Sequence, residues 1–219
     1  MLKGAIFDFD GTLFDSMFIW NTAGETYLLS VGTEPEKDLQ AVLKPMSLLQ
    51  SATYIRKKYA VELTVEEIMN GINRTVEDFY FHTVQPKEGA AAFLEQMKKQ
   101  GVKICIATAT DRYQVEAALK RCCMEHFFSE IFTCTDVGHG KDEPVIFRKA
   151  MEHLGTTKSD TVVFEDAYHA ARTAKTDGFI TVAVYDSHET KQAELRSVSD
   201  CFIECFTHSE HFWKFAYGL

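Results

Sequence analysis

The chain has no apolar run approaching the roughly 20 residues of a membrane-spanning helix, so a helical membrane protein is not expected. It also has no cationic excess. Its 23 Lys and Arg stand against 32 Asp and Glu, a formal net charge of −9 at pH 7. Such a balance disfavours non-specific association with nucleic acid or with an anionic membrane. The opening Met1-Leu2-Lys3-Gly4 is followed at once by a strand-like run, with no small-residue cleavage site, so no secretory leader is expected. None of the six cysteines forms a Cys-x-x-Cys pair, which argues against a thiolate metal site and a disulfide framework. Cys105 and Cys134 lie in apolar runs, as reduced, buried thiols do. There is no internal repeat and no low-complexity tract. The expectation is a cytoplasmic, monomeric protein with no nucleic-acid or membrane partner.

What is present is the composition of a globular domain with a full core. Of 219 residues, 46% are hydrophobic and 25% charged. Residues 3–9, 102–108, 161–165 and 180–184 are short apolar runs without polar alternation, which predicts strands buried on both faces of a parallel sheet. Residues 130–134 and 201–206 predict weaker strands. Helical spacing occupies the intervals, over 88–100, 113–123, 145–154 and 168–176, with a terminal helix over 209–217. Strand and helix in alternation predict an α/β fold, a doubly wound parallel sheet.

Residues 16–84 break that rhythm. They carry helical patterns alone, over 16–31, 36–43, 47–58 and 64–81, the last opened by a Thr64/Glu67 capping box. The returning segment Val84-Gln85-Pro86-Lys87-Glu88-Gly89 has the Pro and Gly of a hinge. The expected division is a core of residues 1–15 and 85–219 with a helical domain of residues 16–84 inserted after the first strand.

Four places carry chemistry. Asp8 and Asp10 follow the first apolar run, where open α/β sheets bind ligands. Gly11 permits a tight turn there and Thr12 can fix it through its hydroxyl. An ionised Asp can attack phosphorus once the phosphoryl charge is neutralised, and a second carboxyl can exchange a proton with the leaving oxygen and with water. Two acids after a strand also serve as a helix cap or a plain loop. Thr108 ends the second run, where its hydroxyl and nearby backbone N–H groups, that of Ala109 included, can hold a phosphoryl oxygen; a helix N-cap is the alternative. Lys141 lies in Gly138-His139-Gly140-Lys141-Asp142-Glu143-Pro144, as a phosphate-neutralising cation or as a solvated surface Lys. Glu165 and Asp166 end the third run. Two adjacent acids at a buried strand's end need a cation or donors between them, and with Asp8 and Asp10 they would suit Mg²⁺; a capping dyad for the next helix is the alternative. The −9 net charge does not oppose a phosphate ester, because a local metal and Lys field outweighs a diffuse one.

Taken in order, Asp8-Phe9-Asp10-Gly11-Thr12, Thr108, Gly140-Lys141 and Phe164-Glu165-Asp166 resemble the four motifs of the haloacid dehalogenase (HAD) superfamily of phosphatases. The likeness runs over nearly the whole chain and points to the β-phosphoglucomutase-like branch, with residues 16–84 in the place of its helical cap. The resemblance implies a Rossmann-like HAD core, with Asp8 as nucleophile forming an aspartyl-phosphate and Asp10 as general acid and base. Thr108 and Lys141 would anchor phosphate. Mg²⁺ would be held by the Asp8 carboxylate, the Asp10 carbonyl and Asp166, with Glu165 in or near its shell. An Asp at position 10 implies phosphatase chemistry rather than dehalogenation.

The departures are informative. The third motif usually continues Lys-Pro-x-Pro-Asp and here reads Lys141-Asp142-Glu143-Pro144-Val145; the fourth usually reads Glu-Asp-Ser-x-x-Gly and here reads Glu165-Asp166-Ala167-Tyr168-His169-Ala170. In the cap, Trp20 stands where mutases carry a His, and Lys44-Pro45-Met46-Ser47-Leu48 lacks the Arg that grips a second phosphate. The expected function is therefore a Mg²⁺-dependent phosphatase of small phosphomonoesters, with a cap that closes to exclude water. A sugar phosphomutase is the alternative, and a non-catalytic binding protein with a decayed site a further one. Trp20, Lys44 and Met17 are the cap residues expected to face substrate, though Trp20 is equally suited to packing inside the cap. His208-x-x-His211 has no third ligand in reach by sequence and reads as a solvated terminus.

Overall fold

The computed structural model describes residues 2–43, 46 and 48–219. In chain order, β1 (Gly4–Phe7) is followed by α1 (Met17–Ser30), α2 (Leu39–Leu43), α3 (Leu48–Lys58) and α4 (Val65–His82). Alternation then begins with α5 (Ala90–Lys99), β2 (Lys103–Thr108), α6 (Arg112–Arg121), β3 (Ile131–Thr133), α7 (Cys134–Val137), α8 (Val145–Leu154) and β4 (Thr161–Glu165). It ends with α9 (Tyr168–Thr176), β5 (Ile180–Val184), α10 (Gln192–Val198), β6 (Cys201–Ile203) and α11 (Glu210–Tyr217). The chain divides into two compact units, Met1–Asp15 with Gln85–Leu219, and Ser16–Val84.

In the first unit six strands form one sheet in the order β3-β2-β1-β4-β5-β6, every pair parallel. The central strands lack alternation because helices cover both faces. On one face Ile6, Cys105 and Val163 pack with Ile146, Phe147, Ala150 and Leu154 of α8 and Ala170 and Ala174 of α9. On the other, Phe7 and Phe164, register partners on β1 and β4, stack with ring centroids 4.1 Å apart. Phe93 of α5 and Phe212 of α11 close over that pair. Successive strand residues thus point into two different apolar layers.

The strand order places the site. From β1 the sheet grows through β2 to β3 on one side, while β4, β5 and β6 build the other. The reversal falls between β1 and β4, and the crevice outside their C-terminal ends is where such sheets bind ligands.

In the second unit α1, α3 and α4 bury Leu28, Ile55, Ile68, Ile72, Val76 and Tyr80. The expected capping box is present: Thr64 Oγ1 accepts from the Glu67 N–H while Glu67 accepts from the Thr64 N–H. Gly71 sets the spacing of α1 and α4, because a Cβ there would lie 2.2 Å from the Tyr27 ring. No described helix is long and apolar enough to cross a membrane, and all six cysteines are free thiols.

Candidate active site

β1 ends at Phe7, two residues short of the apolar run, because the chain turns out of the sheet at the acids. Asp8 still donates its N–H to the Phe164 carbonyl at 3.0 Å, so its Cα is anchored to β4. Beyond it, Gly11 takes φ +70°, a conformation that costs a side-chain residue steric strain. Its N–H donates to the Phe14 carbonyl at 2.9 Å, and Phe14 N–H returns to the Phe9 carbonyl at 2.9 Å. Stacked Phe9 and Phe14 rings, 4.2 Å apart, seal the turn beneath. The fully buried Thr12 hydroxyl does not fix the turn, as its position suggests, but donates to Asp166 Oδ1 at 2.9 Å.

Lys141 is buried, not a solvated surface residue. Its Nζ lies 2.7 Å from Asp8 Oδ1 and 2.6 Å from Glu165 Oε1. Asp8 Oδ1 also accepts the Phe9 N–H at 2.7 Å. Glu165 and Asp166 do not cap α9, whose N-cap is Ala167. Asp8, Glu165 and Asp166 each bring one carboxylate oxygen within 4.8 Å of the others, and Glu165 Oε2 is buried with no hydrogen-bond partner among the described residues.

The charges are out of balance. Burial pushes the Glu165 carboxyl well above its ordinary range; Lys141 opposes that shift, and Asp8 and Asp166 add to it by repulsion. Asp166 is raised in the same way, by burial first and then by the charge of Asp8, with Lys87 opposing. Burial alone would lower Lys141, but Asp8 and Glu165 outweigh it and hold the ammonium charged. An all-oxygen donor set, negative and with one orphaned oxygen, fits a hard divalent cation.

Asp10 and Thr108 are linked to each other through Thr110. Thr108 is fully buried at the end of β2, and α6 is capped not by it but by Asp111. Its hydroxyl accepts the Thr110 N–H at 3.1 Å, and the Thr110 hydroxyl donates to Asp10 Oδ2. Ala109 between them is exposed. The Asp10 carboxylate is thus turned to Thr110 rather than being one of the three clustered acids.

Other candidates lie outside the strand-end loops. Trp20 is half-buried in the helical unit, its indole N–H donating to the Tyr80 hydroxyl at 2.7 Å. Lys44 lies outside the described residues. His211 Nε2 donates to the Phe202 carbonyl. Sequence reasoning missed Thr110, Lys87 and Asp186. Asp186 is buried, with one oxygen 3.1 Å from Lys87 Nζ and the other 3.0 Å from His188 Nδ1. It sits two residues past the end of β5, so the strand-end rule that singled out Asp8 and Glu165 would have found it.

Residues 5–184 match the family model described as haloacid dehalogenase-like hydrolase. A curated relative, the pyrophosphatase PpaX of Bacillus cereus (strain AH820), is 33% identical over 94 residues. That match spans 43% of this chain and 44% of the relative, so less than half of the relative's length is covered. Among solved structures, CbbY from Rhodobacter sphaeroides in complex with phosphate superposes with a TM-score of 0.85 at 19% identity, over 96% of this chain and 97% of that one. A hydrolase from Pseudomonas syringae superposes with a TM-score of 0.79 at 22% identity, over 97% and 98% of the two chains. These two likenesses concern the fold. The family match spans most of the chain and contains every residue of the acidic cluster: the chain belongs to the haloacid dehalogenase-like hydrolases.

Proposed function

We propose that the chain is a phosphatase of small phosphomonoesters that works through an aspartyl-phosphate on Asp8. The carrying observation is the Asp8 carboxylate, buried at the end of β1 and 2.7 Å from the Lys141 ammonium. In this reading an Asp8 oxygen forms a bond to phosphorus as the bond to the leaving oxygen breaks. Asp10 gives its proton to that departing oxygen. Water then attacks the phosphorus, the Asp8–phosphorus bond breaks, and Asp10 takes the proton from water. Lys141 and the Thr108–Ala109 strand end hold phosphoryl oxygens through both steps.

Asp8, Glu165 and Asp166, with the carbonyl of Asp10, are the residues that would hold Mg²⁺. Bound there, the ion supplies screening of the phosphoryl charge against the carboxylates. Residues 16–84 take the place of the cap in this reading, with Trp20 and Lys44 as its candidate specificity residues. The protein is read as a cytoplasmic monomer.

The test is a phosphate-release screen over many phosphomonoesters, with and without Mg²⁺ and with pyrophosphate among the substrates, since a partial relative carries the name of a pyrophosphatase. Asp8→Asn is the control. Mg²⁺-dependent release that this variant lacks supports the reading. Turnover at the wild-type rate by Asp8→Asn would remove the assigned nucleophile.

A further inference from the structure

We propose that Thr110 is a positioning residue that holds the Asp10 carboxyl group in its working orientation. The proposal rests on the reading of Asp10 as the group that protonates the leaving oxygen.

Thr110 is buried immediately before the Asp111 cap of α6. Its two donors point to two site residues: the N–H to Thr108 Oγ1 at 3.1 Å and the hydroxyl to Asp10 Oδ2. The first bond fixes Thr110 against the end of β2. The second crosses from that strand end to the turn after β1, between residues a hundred positions apart.

The chemical consequence follows from the place of that bond. A carboxyl group turns about its Cβ–Cγ bond, and a hydroxyl bonded to Oδ2 restrains that turn. The turn that carries Asp10 has its backbone held by the Gly11–Phe14 and Phe14–Phe9 bonds, and the Thr110 hydroxyl adds a restraint on the carboxyl group itself. A β-branched donor suits the task, because its χ1 is stiff. Thr110 touches neither substrate nor the reacting atoms in this account; it acts through Asp10.

The readout is kcat/KM, which covers the steps up to departure of the leaving group. Alkyl phosphates leave poorly and need the proton, whereas p-nitrophenyl phosphate leaves well without it. Thr110→Val keeps the shape and removes the donor. It should lower kcat/KM for an alkyl phosphate by about 10²-fold while changing that for p-nitrophenyl phosphate by less than about threefold. Thr110→Ser, which restores the hydroxyl, should recover most of the alkyl activity. Thr110→Ala gives the same comparison without the buried methyl groups should the Val variant fold poorly. Equal losses on both esters, wild-type activity of Thr110→Val on both, or a Ser variant as impaired as Val would overturn the proposal. Failure of the underlying reading looks different: Asp8→Asn would still turn over, or the wild type would release phosphate from neither ester.

Discussion

Lys141 and Arg112 lie in the same unit, and each faces two carboxylates at hydrogen-bond distance. Lys141 meets Asp8 and Glu165 at 2.7 and 2.6 Å; Arg112 meets Glu130 and Asp136, both at 2.9 Å. Their surroundings differ. The Lys141 side chain is 5% exposed and Glu165 1%, whereas Arg112 and Glu130 are 40% and 38% exposed. The Arg112 groups are open to solvent, and an exposed pair of this kind contributes about 1 kcal/mol or less. Lys141 and Glu165 are buried, a third acid stands nearby, and one Glu165 oxygen has no partner among the described residues. Taking such ions out of water costs several kcal/mol each. An arrangement that only held the fold together would avoid that cost. This contrast sets a solvent-exposed ion pair against a buried cluster with an excess of acids.

Replacing the two cations should give the widest separation. Lys141→Ala strands Asp8 and Glu165 in a buried setting, and a loss of about 3–5 kcal/mol is expected in denaturant melts. Phosphate release should fall by about 10²–10³-fold, and binding of a phosphate mimic such as beryllium fluoride should weaken. Unaltered affinity for that mimic would put Lys141 in the same class as Arg112.

Glu165→Gln sharpens the comparison from the acidic side. It removes a charge that burial disfavours while keeping an oxygen that accepts from Lys141. The chelator-treated protein should gain roughly 1 kcal/mol in stability, and the rise in melting temperature on adding Mg²⁺ should shrink. Melts with and without the ion check both. A loss of stability without metal would show that Glu165 serves the fold.

The smallest effect is expected at Arg112. Arg112→Ala should cost less than about 1 kcal/mol near neutral pH. The Glu130 carboxyl is held below its usual value of 4.5, first by the Arg112 hydrogen bond. A lowered carboxyl contributes stability above its unfolded pKa and loses it as pH falls through the folded one. The gap between wild type and variant in urea melts should therefore narrow below about pH 4. A gap that widens on acidification would contradict this assignment.

The same contrast explains what could be read in advance. The sheet was legible because β1, β2, β4 and β5 are covered on both faces and appear as unbroken apolar runs. Asp8, Glu165 and Asp166 were legible because they interrupt those runs where strands end. α10 was not anticipated because it buries only Leu195 and so carries no apolar stripe. Thr110 stayed hidden for a different reason. Its significance lies in a bond to Asp10, and no local pattern records a contact between residues so far apart in sequence. Asp186 carried the strand-end signal and was overlooked because Tyr185 separates it from the apolar run.

Central to the proposed reaction is a covalent bond between Asp8 and phosphorus. Incubation with a phosphate ester labelled on phosphorus, quenched in acid during turnover, should leave label on the peptide that contains Asp8. The label should be discharged by hydroxylamine, as an acyl phosphate is, and be missing from Asp8→Asn. Active turnover with no labelled protein, or label that persists in the Asn variant, would contradict it.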